Sequence, residues 1–480
     1  LTRFAAQNIT QYTKDNIWTS DWGHIALISR YLSATFSTLS LPLLFILLSS
    51  FFTPAISLIS TALFAFSPGL IQYAHYGVTE SLLVFWFLLL CLASIRAYHQ
   101  PKFLLNWFYL SAICGLSLAT KTSAALFLVI PFIVWLLTFH HQPLKHFLFG
   151  IYFLLNLFLI TFIFSPYSFL DFTHFRQSML YESGVATGTL QVPYNLQFLN
   201  TPPYIFSFLN LFWQLGPLIP LFGALGLLFI FLSSLRRPRF RPLLPVVIFG
   251  LIYFAYVGGW YTKFIRYQIP FIPLIVIGFA YPLSLLHRRL PAVYLTLAIC
   301  ALLTSLLWAT AHAQVYLQPH TRLTASGWIY QNIPDNSVIL HEHWDDQLPT
   351  DIDGQASRFN DQQVKSYDPD SPTKLKELMN QLSQGDYYII SSKRVYGSII
   401  RAPSRYPLMS RFYQLLFANQ AGYHLVQTFS SYPRLGSLIV NDDQAEETLQ
   451  VYDHPVIYIF QKDKSFSSSS LTNLFSPYIR

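Results

Sequence analysis

The chain of 480 residues is 53% hydrophobic and 11% charged, carries 43 Phe and 30 Tyr, and has a formal net charge of +8. Apolar runs near twenty residues recur through its first two thirds. Each such run spans roughly 30 Å as a helix, which excludes a water-soluble domain with narrow amphipathic stripes. The positive excess flanks these runs and reads as membrane-edge charge, not as a nucleic-acid surface.

In chain order, residues 1–25 are polar. About ten membrane segments are then expected at 26–50, 55–72, 79–97, 105–119, 123–138, 146–165, 205–233, 243–259, 267–286 and 291–312. Prolines 54, 101, 143, 242 and 291 stand at or near segment starts, where the missing N–H costs nothing. Cys91, Cys114 and Cys300 all fall inside apolar segments, which speaks against a disulfide scaffold. The first methionine is Met179, so the natural start is expected upstream of Leu1.

Sidedness follows from the loops. "RAYHQPK", "HHQPLKH", "SLRRPRFRP" and "HRRLP" together hold nine Lys/Arg and alternate with poorer connections. The positive-inside rule turns them to the cytoplasm. The opposite face then carries the N-terminal stretch, "QYAHYGVTE", "ATKTSA", the long loop 166–204, "GGWYTKFIR" and everything after 314.

From 315 to 480 charges become common and apolar runs shorten, as in a soluble domain of ordinary size. "TRLTASGWIYQNIP" has helical spacing. "SVILHEHW", "DYYIISS" and "HPVIYIF" read as strands, and "SPTKLKELMNQLSQG" as a capped helix closed by Gly385. The fold class is therefore a polytopic α-helical membrane protein with a C-terminal α/β domain.

Several ionisable residues stand at helix ends on the outer face. Glu80 opens an apolar helix behind Thr79: it is either a first-turn cap in water or a working carboxylate that binds a metal or a sugar hydroxyl. His75 lies five residues earlier in the same loop, and is either a hydrogen-bonded structural residue or a second polar group of that site. Lys121 interrupts "SLATKTSAALF" and either snorkels to the headgroups or fixes a phosphate. Arg266 in "TKFIRYQIPFIP" has the fork that suits phosphate oxygens, with Lys263 one turn away. Arg30 in the first helix and Arg176 in the long loop extend the set. Cations and an acid on one membrane face suit an anionic lipid headgroup. "HEHWDD" (341–346) allows a metal site or a solvated strand end. Asp171 and Glu182 add acids to the long loop, and Asn8 opens an "NIT" sequon.

The succession "ISRYLSATFSTLSLPLLFILL", "STALFAFSPGLIQYAHYGVTESLLVFWFLLL", "GLSLATKTSAALFLVIPF" and "KFIRYQIPFIP" resembles the glycosyltransferase family 39 proteins. These are the dolichyl-phosphate-mannose protein mannosyltransferases and their bacterial relatives, and the soluble part looks like the C-terminal domain of the bacterial members. The resemblance implies a GT-C fold and inverting transfer of a sugar from a polyprenyl-phosphate donor outside the cytoplasm. The acceptor would be a protein, lipid or glycan. It implies a catalytic role for Glu80 and donor contacts from Lys121, Arg266, Tyr267 and Arg30, although Ser29 stands where many relatives have Gly. It names no certain cofactor and leaves a divalent metal open. The family's main catalytic Asp follows an earlier membrane helix, so it is expected upstream of Leu1; Asp15 and Asp21 look like the tail of that loop. A lipid-sugar transporter or flippase and a non-catalytic scaffold are the competing classes. A transporter predicts ionisable groups or broken helices at the bilayer midplane and an inverted repeat, whereas the ionisable groups here gather at one edge.

Overall fold

The computed structural model describes residues 22–139, 143–351 and 355–478. Asn8, Asp15 and Asp21 lie outside the described residues, as does most of the 1–25 stretch. The chain forms two compact units: 1–180 with 203–309, and 181–202 with 310–480.

The first unit is helical. Its helices are α1 (Trp22–Ser49), α2 (Pro54–Ala65), α3 (Pro68–His75), α4 (Glu80–His99), α5 (Leu104–Thr120), α6 (Val129–Thr138) and α7 (Pro143–Phe164). After α8 (Phe172–Thr187) come α9 (Ile205–Leu215), α10 (Ile219–Arg236), α11 (Leu244–Val257), α12 (Ile272–Arg289) and α13 (Pro291–Ala313). Among the described residues seven helical stretches are long and apolar enough to cross a membrane, or eight if a bent pair counts as one span. The protein is a polytopic α-helical membrane protein with a C-terminal α/β domain.

The expected segments differ from the helices where the backbone breaks. Segment 55–72 is the pair α2 and α3, bent by 54°. Ser67 caps the second helix through Leu70 N, and Pro68 starts it without losing a needed donor. Segment 205–233 splits into α9 and α10 at Gly216, whose φ of +81° only glycine adopts cheaply, with Pro217 following. The closest packing joins α10 and α12. A Cβ on Gly226 would stand 1.9 Å from Gly278 O, and one on Gly278 would stand 2.1 Å from Gly223 O. Bare backbone is what lets these two helices touch.

The second unit is a sheet domain. It contains α14 (Thr321–Asn332), β1 (Val338–Glu342), β2 (Asn360–Val364), α15 (Pro372–Gln384), β3 (Tyr387–Ile390), α16 (Arg394–Ile400) and α17 (Pro407–Phe417). β4 (Tyr423–Phe429), β5 (Arg434–Leu435), β6 (Leu438–Ile439), β7 (Ile457–Lys462) and α18 (Ser468–Phe475) complete it. The sheet order is β2-β1-β3-β7-β4, with β2, β1 and β3 parallel and β7 antiparallel to both its neighbours. β5 and β6 form a separate hairpin. One face packs on α15, α16 and α17 around Tyr388, Leu382, Phe412 and Phe460; the other packs on α14 around Ile329, Ile339 and Ile459. Ser371 caps α15 by accepting from Lys374 N at 3.1 Å, and Gly385 follows its last turn. Segment 181–202 belongs to this unit: Leu196 joins its core, and the 3-10 turn Pro193–Phe198 packs on α16.

Candidate functional site

Glu80 is the first residue of α4 and is 4% exposed. Thr79 makes no side-chain cap bond, and Glu80 is not a cap standing in water. Its Oε1 accepts from Lys121 Nζ at 2.7 Å. Lys121 ends α5 with an extended backbone (φ −158°, ψ 131°), and the chain resumes as the 3-10 turn Thr122–Leu128. That break turns the lysine side chain toward α4. Below the pair, Trp86 Nε1 donates to Thr120 Oγ1 at 3.2 Å, joining the same two helices again.

The loop before Glu80 is held from two sides. Ser33 of α1 donates to Val78 O at 3.0 Å, and Ser81 donates to Tyr73 O at 3.2 Å. Gly77 lies so close to Ser29 that a Cβ there would stand 2.3 Å from the serine Oγ.

Arg266 and Tyr267 lie in the 3-10 turn Ile265–Phe271 that opens α12. The guanidinium sits over the Phe264 ring at 4.8 Å and the Tyr267 ring at 5.4 Å. Its side chain hydrogen-bonds Tyr267, while Tyr73 and Glu80 lie near it, and its buried Nε has no hydrogen-bond partner. Tyr253 of α11, also near Glu80, donates its hydroxyl to Tyr267 O at 2.5 Å. Lys263 is buried, donates to Tyr261 O at 2.8 Å, and lines a crevice with Tyr253, Tyr267 and Gln268. Phe254 and Phe271 close that crevice and also line a second, strongly apolar groove with Tyr204, Phe208, Leu227 and Leu251. The crevice and the apolar groove thus share the Phe254 and Phe271 rings as a common wall.

The fold brings Glu80, Lys121, Arg266, Tyr267 and Lys263 into one region. His75 is exposed at the end of α3, with Nδ1 2.8 Å from Ile71 O. Arg30 is exposed on α1 beside Ser29, and Arg176 is exposed on α8; no hydrogen bond or ion pair joins either to Glu80 or Lys121 among the described residues. Asp171 pairs with His174 at 2.7 Å on the surface. Four residues of the region had no part in the sequence reading: Tyr73, Tyr253, Gln214 and Gln268. Gln214 donates to Gln268 Oε1 at 2.8 Å, Gln268 donates to Ser207 O at 2.6 Å, and Ser67 donates to Gln214 O at 2.8 Å. Glutamines inside apolar helices are the sign that could have found this ladder, since a buried amide must be paired.

In the second unit, "HEHWDD" is a strand end solvated on one side only: Trp344 and Asp346 are exposed, whereas His341 and Glu342 are buried. Glu342 is buried at the end of β1, and burial holds its carboxyl well above the usual range while the Tyr413 hydroxyl bonded to it works the other way. Burial and His343 push His341 down to about 4. The side chain of Asp345 is buried, accepts from Ser392 Oγ at 2.5 Å, and lies 3.7 Å from Arg322; burial raises its pKa. Among the described residues no three His, Cys, Asp or Glu are placed to hold a metal ion.

No family model matches the chain, and no curated protein matches it. Solved structures do show likeness. The oligosaccharyltransferase AglB from Archaeoglobus fulgidus, in complex with an inhibitory peptide and a dolichol-phosphate, is similar over 87% of this chain at 13% identity, TM-score 0.48. This chain spans 63% of that protein's length. ArnT from Cupriavidus metallidurans, bound to undecaprenyl phosphate, is similar over 90% of this chain and 83% of its own, at 12% identity and TM-score 0.47. The arabinofuranosyltransferase AftD from Mycobacteria is similar over 91% of this chain and 35% of its own, at 13% identity and TM-score 0.38. Scores below 0.5 describe a partial likeness of chain path and establish neither family nor activity.

Proposed function

We propose that this chain acts as a GT-C membrane glycosyltransferase that moves a sugar from a polyprenyl-phosphate donor to a protein, lipid or glycan acceptor. The reaction inverts the anomeric centre on the extracytoplasmic face, and the domain after residue 314 lies on that face. One observation carries the reading. Arg266, whose side chain hydrogen-bonds Tyr267, keeps a buried Nε–H without a partner and lies close enough to feel the charge of Glu80, which Lys121 holds at 2.7 Å, while Phe271 of the same 3-10 turn lines an apolar groove. A lipid phosphate has the matching halves. Its anionic oxygens take the guanidinium fork and the Lys121 ammonium, and its isoprenoid tail takes the groove. Lys263 and Tyr267 line the crevice between them. Glu80 orients the hydroxyl of the sugar or acceptor as the phosphate departs. The positive-inside pattern of the loops supports the side.

The test is sugar transfer by the natural full-length protein in proteoliposomes supplied with labelled polyprenyl-phosphate sugars. Glu80→Gln and Arg266→Ala should each lower turnover at least about 100-fold, the loss seen when a single charge-stabilising group is removed, while membrane insertion is unchanged. Wild-type turnover in both variants overturns the assignment. The bend between α2 and α3 favours a carrier as the second reading. Movement of the labelled lipid across the bilayer without transfer would select it.

A further inference from the structure

We propose that the connection from α4 to α5 is a binding site for the headgroup of an anionic phospholipid. Arg96, His99, Gln100, Lys102 and Phe103 line a cavity of about 630 Å³, within the range of sites that hold small molecules. Buried side chains set the loop around it. Asn106 donates to Gln100 O at 2.9 Å and Trp107 donates to Pro101 O at 2.9 Å, and both residues are 1% exposed. The backbone adds Gln100 N to Arg96 O at 2.9 Å and Phe103 N to Gln100 O at 3.2 Å. A helix gains from basic residues in its last turn, which accounts for Arg96 and His99. It accounts neither for Lys102, beyond the helix, nor for a cavity that the basic residues share.

The first unit offers these cations no counter-charge. Among its described residues the only carboxylates are Glu80 and Asp171. Glu80 pairs with Lys121 at the other end of the 20-residue α4, roughly 30 Å away, and Asp171 pairs with His174. Arg96 and Lys102 make no ion pair among the described residues. Position selects a lipid as the source of the anion. α4 is long and apolar enough to cross a bilayer, so its last turn stands at the headgroup layer. Phe103, in the cavity wall, is 49% exposed, and Leu104 and Leu105 after it are 43% and 41% exposed. They give acyl chains an apolar edge beside the cations, which a soluble phosphate would not use. The positive-inside rule turns this loop to the cytoplasm, the side whose leaflet carries the anionic lipids. The site is separate from Glu80 and does not depend on the reaction proposed there.

The experiment uses the whole chain, purified in detergent and stripped of lipid, with its thermal midpoint followed as lipid is added. Phosphatidylglycerol should raise the midpoint by several degrees, and phosphatidylcholine should not. In the double variant Arg96→Gln, Lys102→Gln, the phosphatidylglycerol concentration that gives half the shift should rise roughly thirtyfold, the effect of removing two cations at a lipid surface. The control Arg288→Gln, Arg289→Gln removes the same charge from the exposed end of α12 and should respond as wild type does. Equal shifts from both lipids, or none from phosphatidylglycerol, overturn the proposal. So does an unchanged titration in the first double variant, or an equal loss in the control. Inorganic phosphate that reproduces the shift at matched concentration also overturns it, by showing a soluble anion to be the ligand. If the double variant does not fold, Lys102→Gln alone, on the loop beyond α4, should show a roughly fivefold rise.

Discussion

Glu80 and Lys121 share one bond but not one environment: the carboxylate is 5% exposed and the ammonium 32%. Removing the lysine leaves a charge with little water to solvate it. Breaking a buried pair costs about 3–5 kcal/mol, and the partial exposure of Lys121 lowers the expectation to roughly 2 kcal/mol. Lys121→Met should therefore lower the thermal midpoint of the purified protein in detergent. Adding Glu80→Gln should recover more than half of the loss, because the stranded charge goes with it. Equal midpoints for wild type and Lys121→Met would show that the pair contributes nothing to the fold. The same arithmetic bears on function. On the function proposed above, a donor phosphate that recruits Lys121 would have to compete with the carboxylate already holding it, so binding of the anion would loosen Glu80.

At the scale of elements, the contact of α10 with α12 rests on the absence of side chains. Gly278→Ala puts a methyl about 2 Å from the Gly223 carbonyl, where no rotamer offers relief. Overpacking of this kind costs about 1–3 kcal/mol, and more where backbone must move. A fall in thermal midpoint is expected for Gly278→Ala, and no fall at Gly327→Ala, where a Cβ meets nothing within 4 Å and alanine suits the helix better than glycine. Elements like α4, α12 and α13 were plain in the sequence because an apolar run of that length has one stable use. The strands β1, β3 and β7 were equally plain from their apolar character. β2 was not, since Asn360, Asp361, Gln362 and Gln363 give a polar edge strand with no alternation to read. The breaks at Ser67 and Gly216 were written in local chemistry, but their consequence depends on neighbours. For the candidate site, a shared membrane face was legible for Glu80, Lys121 and Arg266. Their meeting was not, because it needs the extended backbone at Lys121 and the 3-10 turn at Arg266. The amide ladder through Gln214 and Gln268 stayed hidden for the same reason: pairing across helices leaves no period in one of them.

For the whole molecule, the informative feature is the membership of the second unit. Residues 181–202 sit between membrane segments in sequence yet pack with residues 310–480. Leu196 and Phe198 are 2% and 1% exposed there, Arg394 and Gln197 share Glu447 at 2.7 and 3.0 Å, and Arg405 donates to Gln191 at 2.7 Å. A fragment of residues 310–480 alone should aggregate, and the same fragment fused to 181–202 by a flexible linker should be monomeric with a cooperative melt; size-exclusion chromatography distinguishes them. The arrangement also sets a schedule for synthesis. Phe198 leaves the ribosome nearly two hundred residues before Arg394, a delay of roughly ten to forty seconds at ordinary elongation rates. During that wait Leu196 and Phe198 lack the partners that bury them in the folded chain, so the nascent protein passes through a window in which this segment is open to wrong contacts.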